Sequence, residues 1–311
     1  MKTLRAFYWI ALVNFLLTVC MVLLGAYVKN SGSSLACPDW PTCFGTLMPE
    51  MKGGVAIEHS HRILGSILGL LTIGLTFLSF KHRSAKPTLF WGSCLALVLV
   101  IFQGILGGVT VLKQISPHVS TVHLITSQIY LAILLWLCLK SRFESAGIIH
   151  FNQINPKITK WLNIAIAIFL IQVILGAIVR HSGAGVACGL GWQSALKCLN
   201  SVTGEPTWWP DTLLAKVQMK HKFWGFFTSL ALVGSTMPFL KWAKRNHVRS
   251  IRLAIVGIHI TLLLQIVVGM MAIGTSLSNH SVLTHVFLAM VIWSFLIFLR
   301  FKAHQLKGKT T

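Results

Sequence analysis

The sequence predicts an all-α integral membrane protein. Its eight transmembrane helices form two tandem four-helix bundles, related by a pseudo-twofold axis along the membrane normal. Three observations predict this fold. Of 311 residues, 55% are hydrophobic and 11% charged, where a soluble domain carries roughly a quarter charged. Eight apolar stretches each reach the ~20 helical residues that cross a hydrocarbon core. The second half of the chain then repeats the first, motif by motif.

The spans, in order, are Phe7–Val28, Glu58–Phe80, Leu89–Leu112, Val119–Leu139, Ile158–Val179, Val217–Leu240, Ile251–Thr275 and Ser281–Phe301. The first is too long for a signal peptide and is not followed by a cleavage site. An Arg-rich leader is also missing, so a bacterial plasma membrane is expected rather than import into a mitochondrion. With the N-terminus placed inside, two thirds of the 27 Lys and Arg fall on the inner side, from Lys2 and Arg5 to Lys307 and Lys309. Positive-inside bias therefore puts both termini in the cytoplasm. The net charge of +21 reads as topology signal and anionic-lipid contact, and no nucleic-acid partner is expected.

The repeat is explicit. "LLGAYVKNSGSSLAC" (Leu23–Cys37) matches "ILGAIVRHSGAGVAC" (Ile174–Cys188). "HRILG" at His61 matches "HKFWG" at His221. "FQGILGG" and "PHVSTVH" (Phe102–Gly108, Pro117–His123) match "LQIVVGM" and "NHSVLTH" (Leu264–Met270, Asn279–His285). A four-helix unit has been duplicated in tandem, giving halves at 1–140 and 161–311 and a cytoplasmic linker at 141–160. An even number of spans per repeat keeps both copies in the same orientation.

His61, His123, His221 and His285 fall near the outer ends of spans 2, 4, 6 and 8. An intramembrane His is costly unless it faces the bundle interior with a partner, and four at repeated positions point to ligands. No thiolates share their depth, which argues against tetrahedral zinc. One His on each of two helices of a bundle suits a haem with two axial imidazoles. Two haem sites are inferred, His61 with His123 and His221 with His285, both toward the outer surface. Gly25, Gly65, Gly107, Gly176, Gly225 and Gly269 would permit close approach. Basic groups at the outer rim, among them Arg62, Arg180 and Lys222, would pair with haem carboxylates or simply snorkel. His118 and His280 repeat just outside the spans and would contact propionates or solvent. His59 receives no role. Cys20, Cys94 and Cys138 read as packing residues.

The halves differ where "IEHSH" aligns with "VQMKH": Glu58 becomes Gln218. Glu58 lies three residues before His61, on the same helix face. It would act as a base or steady a developing cation, or else cap the N-terminus of span 2. Cys37 and Cys43 lie close together in a Pro-rich first outer loop, Cys188 and Cys198 farther apart in the third, and an outer compartment permits a disulfide in each. Trp40, Trp192, Trp208 and Trp209 fit an interfacial belt and would cover haem edges.

With these residues assembled, the chain resembles the haem A synthase family of bacterial and mitochondrial membranes. The resemblance covers all eight spans and rests on "SGSSLACPDWPTCFG", "EHSHR" and the four repeated histidines. It implies oxidation of the C8 methyl of haem O to the formyl group of haem A, for terminal oxidases. It implies that Glu58 is needed for turnover, that His61 and His123 hold haem O or haem A, and that His221 and His285 hold haem b. It further implies pairs Cys37–Cys43 and Cys188–Cys198, the first close enough to a redox cofactor to take part in catalysis. The wider second pair departs from the first, so no catalytic duty is carried over to it. Implied partners are haem O delivered by a haem O synthase, cytochrome oxidase assembly factors, a quinone or other electron acceptor, and a second copy of the chain. Three other readings stand beside this one. A di-haem b-type electron-transfer cytochrome would need the histidines but not Glu58. A transporter would place its polar residues at midplane. A thiol oxidoreductase would leave the histidines unexplained.

Overall fold

A computed structural model describes residues 2–146 and 154–306. All eight expected spans are helices: α1 (Lys2–Asn30), α2 (Gly53–Phe80), α3 (Pro87–Leu112), α4 (Pro117–Ala146), α5 (Pro156–His181), α6 (Leu213–Arg245), α7 (Arg249–Gly274) and α8 (Asn279–Gln305). Each is long and apolar enough to cross a membrane, and the chain is an all-α, multi-pass membrane protein.

The helices outrun the apolar stretches that announce them, because hydropathy marks only the lipid-facing part and a cap sets the end. Asn155 accepts from the Lys157 N–H, Thr212 from that of Ala215 and Ser278 from that of Ser281, each satisfying a first-turn donor that has no intrahelical partner. The extension matters most at α2. It begins at Gly53 with Lys52 at the cap position, so Glu58 lies in the second turn and the capping role for it is overturned. Of the Gly53-Gly54 pair that looks like a breaker, Gly53 takes a positive φ of 51° and Gly54 gives space. A Cβ on Gly54 would stand 3.1 Å from the Ala36 side chain of the first loop.

The chain divides into two compact units, Met1–Ile148 and Ile149–Thr311. The break falls within the expected linker at 141–160. α4 continues into that linker as far as Ala146 and α5 starts at Pro156; residues 147–153 of it lie outside the described residues. In the first unit α1 packs on α2 and α4, and α3 on α2 and α4. In the second, α5 packs on α6 and α8, and α7 on α6 and α8. Each unit is thus a closed ring of four helices, with the histidine-bearing pair (α2 and α4, or α6 and α8) on the diagonal.

Apolar contact in lipid displaces no water, so close packing and buried polar bonds hold such bundles together. The core of the first unit sits at the end away from His61 and His123. There Phe7, Ala11, Leu75, Leu89, Ala96, Leu134, Leu137 and Cys138 form one cluster. Just above it Thr72 receives the Asn14 amide (3.0 Å) and meets the Tyr130 hydroxyl (2.6 Å), joining α1, α2 and α4. Membrane bonds of this kind contribute about 0.6 kcal/mol each. In the second unit Thr236 of α6 bonds His259 of α7 at 2.9 Å, so the mid-span His259 is a packed polar residue. Of the three cysteines expected to pack, Cys138 is buried and Cys94 half-buried, but Cys20 is exposed and faces away from its bundle.

Candidate active site

In the first unit His61 of α2 lies against Gly25 of α1. A Cβ at Gly25 would come within 2.9 Å of the imidazole Cε1, closer than real contacts allow. His123 of α4 lies against Gly107 of α3 with more room, at 3.8 Å. The second unit repeats the device: Gly176 of α5 would meet His221 at 3.1 Å, and Gly269 of α7 would meet His285 at 3.0 Å. Four of the six repeated glycines are therefore seats for imidazoles, while Gly65 faces Met21 and Gly225 faces Gln172. The two histidine-bearing helices of each unit face one another across its ring of four. Nδ1 of all four is enclosed and without a hydrogen-bond partner. Enclosed, unpaired polar atoms are expensive, and a native structure with one at each of four matching positions calls for a ligand. Paired imidazoles across a bundle interior, with no thiolate between them, fit iron held by two axial nitrogens. One difference separates the units. Gln265 approaches Nε2 of His285 at 3.2 Å, whereas its counterpart Gln103 bonds Thr126 instead.

Above the first pair the loop between α1 and α2 is folded down onto the head of α2. Glu58 is buried, 4% exposed. One carboxylate oxygen accepts from the Cys37 N–H at 2.8 Å, the other from the Arg62 guanidinium at 2.6 Å. Arg62 also donates to the carbonyls of Asp39 (2.7 Å), Thr42 (2.5 Å) and Cys37 (3.3 Å). The Glu58–Arg62 pair thereby clamps the loop that carries the Cys37–Cys43 disulfide. The second unit builds the same clamp without an acid. Gln218, 2% exposed, accepts from the Cys188 N–H at 2.7 Å and donates to the Gly185 carbonyl at 2.9 Å. Lys222 donates to the Ser194 carbonyl at 2.8 Å and reaches that of Lys197 at 3.4 Å. Cys188 is bridged to Cys198. The anchors occupy corresponding positions, but the acid pairs with Arg62 where the amide of Gln218 bonds the Gly185 carbonyl.

Arg62 and Lys222, expected at haem carboxylates, thus spend their donors on loop backbone. Arg180 ends α5, at the level of the His221 head of α6. His118 and His280 are exposed in the first turns of α4 and α8. Trp40 lies flat on Gly108, where a Cβ would meet the indole at 2.7 Å, and Trp192 on Gly274 at 2.6 Å. Each closes its loop onto the third helix of its own unit. Trp208 and Trp209 pack around Phe223.

Two residues to which the sequence reading gave no role have one in the structure. Asp39 organises the first loop, taking the Phe44 and Gly45 N–H groups at 2.6 and 2.9 Å and the Thr42 hydroxyl. The Thr42 bond first, then the Gly45 N–H, hold its carboxyl below the ordinary 3.8. The signal was an Asp followed by a turn-forming Pro-Thr and then a Gly. His59 is buried beside the disulfide with Nε2 on the Leu47 carbonyl at 3.1 Å. Its signal was that the second unit has Met219 there, not a histidine.

Fold and site together define a class: a polytopic membrane protein with a pair of ligand-type histidines in each of two four-helix units and a disulfide-bearing loop over each pair. The family model described as Cytochrome oxidase assembly protein matches residues 8–54 and 50–297. The chain is 33% identical to the Heme A synthase of Exiguobacterium sibiricum over 68% of its own length and 67% of the relative's. It is 28% identical to that of Shouchella clausii over 94% of this chain and 96% of the relative. It is 27% identical to that of Staphylococcus aureus over 89% and 88%. This chain belongs to the haem A synthase family.

Proposed function

We propose that this protein is an enzyme of haem A biosynthesis that oxidises the C8 methyl of haem O to the formyl of haem A. In this reading the first unit is the substrate site, with His61 and His123 holding haem O, and the second holds a resident haem b through His221 and His285. Converting a methyl to a formyl group is a four-electron oxidation: two hydrogens are replaced by a doubly bonded oxygen taken from water, and four protons and four electrons are released. A haem b, when bound, supplies one-electron transfer. Electrons leave to a quinone or other acceptor.

The observation that carries the reading is the carboxylate at Glu58 where an otherwise repeated anchor has the amide of Gln218. Glu58 heads the helix face that carries His61, one turn away. Its negative charge steadies a cation developing on the methyl carbon, and its oxygens, already accepting two donors, can take a proton as that carbon loses one. Arg62 orients the carboxylate from the side of the loop. Trp40 holds the first loop against Gly108 of α3. Haem O arriving from a haem O synthase, and haem A leaving toward oxidase assembly factors, complete the proposal.

The test is to purify the protein from cells that make haem O and to identify the extracted haems by chromatography and mass. Haem b together with haem O, an alcohol intermediate or haem A supports the synthase. A second reading, a di-haem electron-transfer cytochrome, draws on the near-identical histidine seats of both units. It would be favoured by haem b alone at two per chain, with no modified haem under any expression condition.

A further inference from the structure

The first loop carries a cluster to which the proposed reaction assigns no step. Cys37 and Cys43 are fully buried, His59 is 5% exposed, and both sulfurs and a ring nitrogen of His59 lie within 4.8 Å of one another. Among the described residues this is the one group of three or more His, Cys, Asp or Glu side chains so close together. Nε2 of His59 is taken by the Leu47 carbonyl, while Nδ1 is enclosed and has no partner. Nε2 donates to that carbonyl, and the bond fixes the tautomer: Nδ1 carries the lone pair. A buried acceptor beside two sulfurs is an unexplained cost. In the second unit the corresponding position is Met219, packed on Cys188 and Cys198 within an apolar cluster. A structural disulfide therefore does not need a histidine.

We propose that Cys37, Cys43 and His59 form a thiol-gated metal site, closed when the cysteines are bridged and open when they are reduced, whose occupant is Cu(I). The gating step is the reduction of one disulfide by a dithiol: the S–S bond breaks, two electrons and two protons arrive, and the donor leaves as its own disulfide. Binding then displaces the two thiol protons and gives a ligand set of two thiolate sulfurs and one imidazole nitrogen. Thiolates select soft d10 ions. Zinc takes four ligands almost without exception, and this cluster offers three in a water-free setting, which suits the three-coordinate habit of Cu(I).

The test uses the full-length, haem-loaded protein, so that the four ligand histidines are occupied. It is treated or not with a phosphine reductant, desalted anaerobically, and titrated with Cu(I) held by a chromophoric chelator. Reduced wild type is expected to withdraw one Cu(I) per chain and the oxidised protein none, a comparison that needs no variant. His59→Gln keeps a donor for the Leu47 carbonyl but removes the imidazole nitrogen, and weakens retention by at least ~10-fold. Equal uptake by oxidised and reduced protein, no uptake by either, unchanged retention in His59→Gln, or tighter retention of Zn(II) than of Cu(I) would each overturn the proposal.

Discussion

The second unit shows what the first would look like without its acid, and this makes Glu58 separable from the fold. In Glu58→Gln the Cys37 N–H still finds an acceptor, as the Cys188 N–H finds one in Gln218. The loss falls on Arg62. Its side chain is 13% exposed and its carboxylate partner 5%, and removing one member of a buried ion pair costs about 3–5 kcal/mol. Arg62 keeps three loop carbonyls, so the cost lies toward the lower end of that range. In the double variant Glu58→Gln/Arg62→Lys both positions carry the residues that already serve in the second unit. The expected order of thermal stability is wild type, then double variant, then Glu58→Gln, with the double variant recovering at least half of the loss. Both variants should retain haem and neither should yield haem A. The assay pairs a thermal melt in detergent with haem extraction from the same preparation. Haem A at the wild-type level in the stable double variant would refute a chemical role for Glu58 and leave it as a loop anchor.

Two further outcomes follow from the geometry. Gly25→Ala forces a Cβ to 2.9 Å from His61, whereas at Gly107 the same change leaves 3.8 Å to His123. Overpacking costs about 1–3 kcal/mol, so Gly25→Ala should weaken haem retention in the first unit ~5- to 150-fold and Gly107→Ala hardly at all; equal losses by haemochrome assay would count against the seats. The Asp39 carboxyl titrates below its ordinary 3.8, so its hold on the first loop is present above that value and is lost as pH falls through the lower folded value. Phosphine reduction of Cys37–Cys43 should accelerate in that acid window and be fast already at neutral pH in Asp39→Asn; a pH-independent rate would sink the idea.

The eight spans and the tandem repeat were legible because helix length and apolar run are local properties, and because a duplicated motif announces itself without a structure. The histidine seats were half legible: the glycines and histidines both repeated, but only packing tells that Gly25 faces His61 and Gly107 faces His123. What the sequence hid is the first loop. Arg62 reads as a rim cation at the head of a span, yet the chain from Cys37 to Thr42 folds back over it and supplies three carbonyls. Nothing in the local pattern encodes that return. The same return brings Leu47 to His59 and makes a ligand-type residue of one that looked incidental. Glu58 read as a possible cap because the apolar run begins there, whereas the helix starts at Gly53, and Gly54 is the floor on which Ala36 rests.

A buried ion pair is weak evidence for stability, since a neutral arrangement of similar volume often does as well or better. Here the neutral arrangement is on hand in the same chain. Gln218 satisfies both of its polar ends and closes its loop over the same kind of disulfide, above the same kind of histidine pair. The first unit thus keeps a desolvated carboxylate that its architecture does not require. The seats on which His61 and His221 rest are alike to within a few tenths of an ångström, and the seats that differ, those of His123 and His285, lie on the helices without the acid or its amide counterpart. What differs is the presence of a negative charge one turn above the histidine, and a fixed negative charge in a dry, preorganised setting does most where positive charge develops during reaction. In a pair of electron-transfer sites such an asymmetry would only offset the potential of one haem from that of the other. In the proposed pair, where one site transforms its occupant and the other relays electrons, it serves the chemistry itself, and on that ground the carboxylate, not the histidines, is the residue whose replacement tells a synthase from a cytochrome.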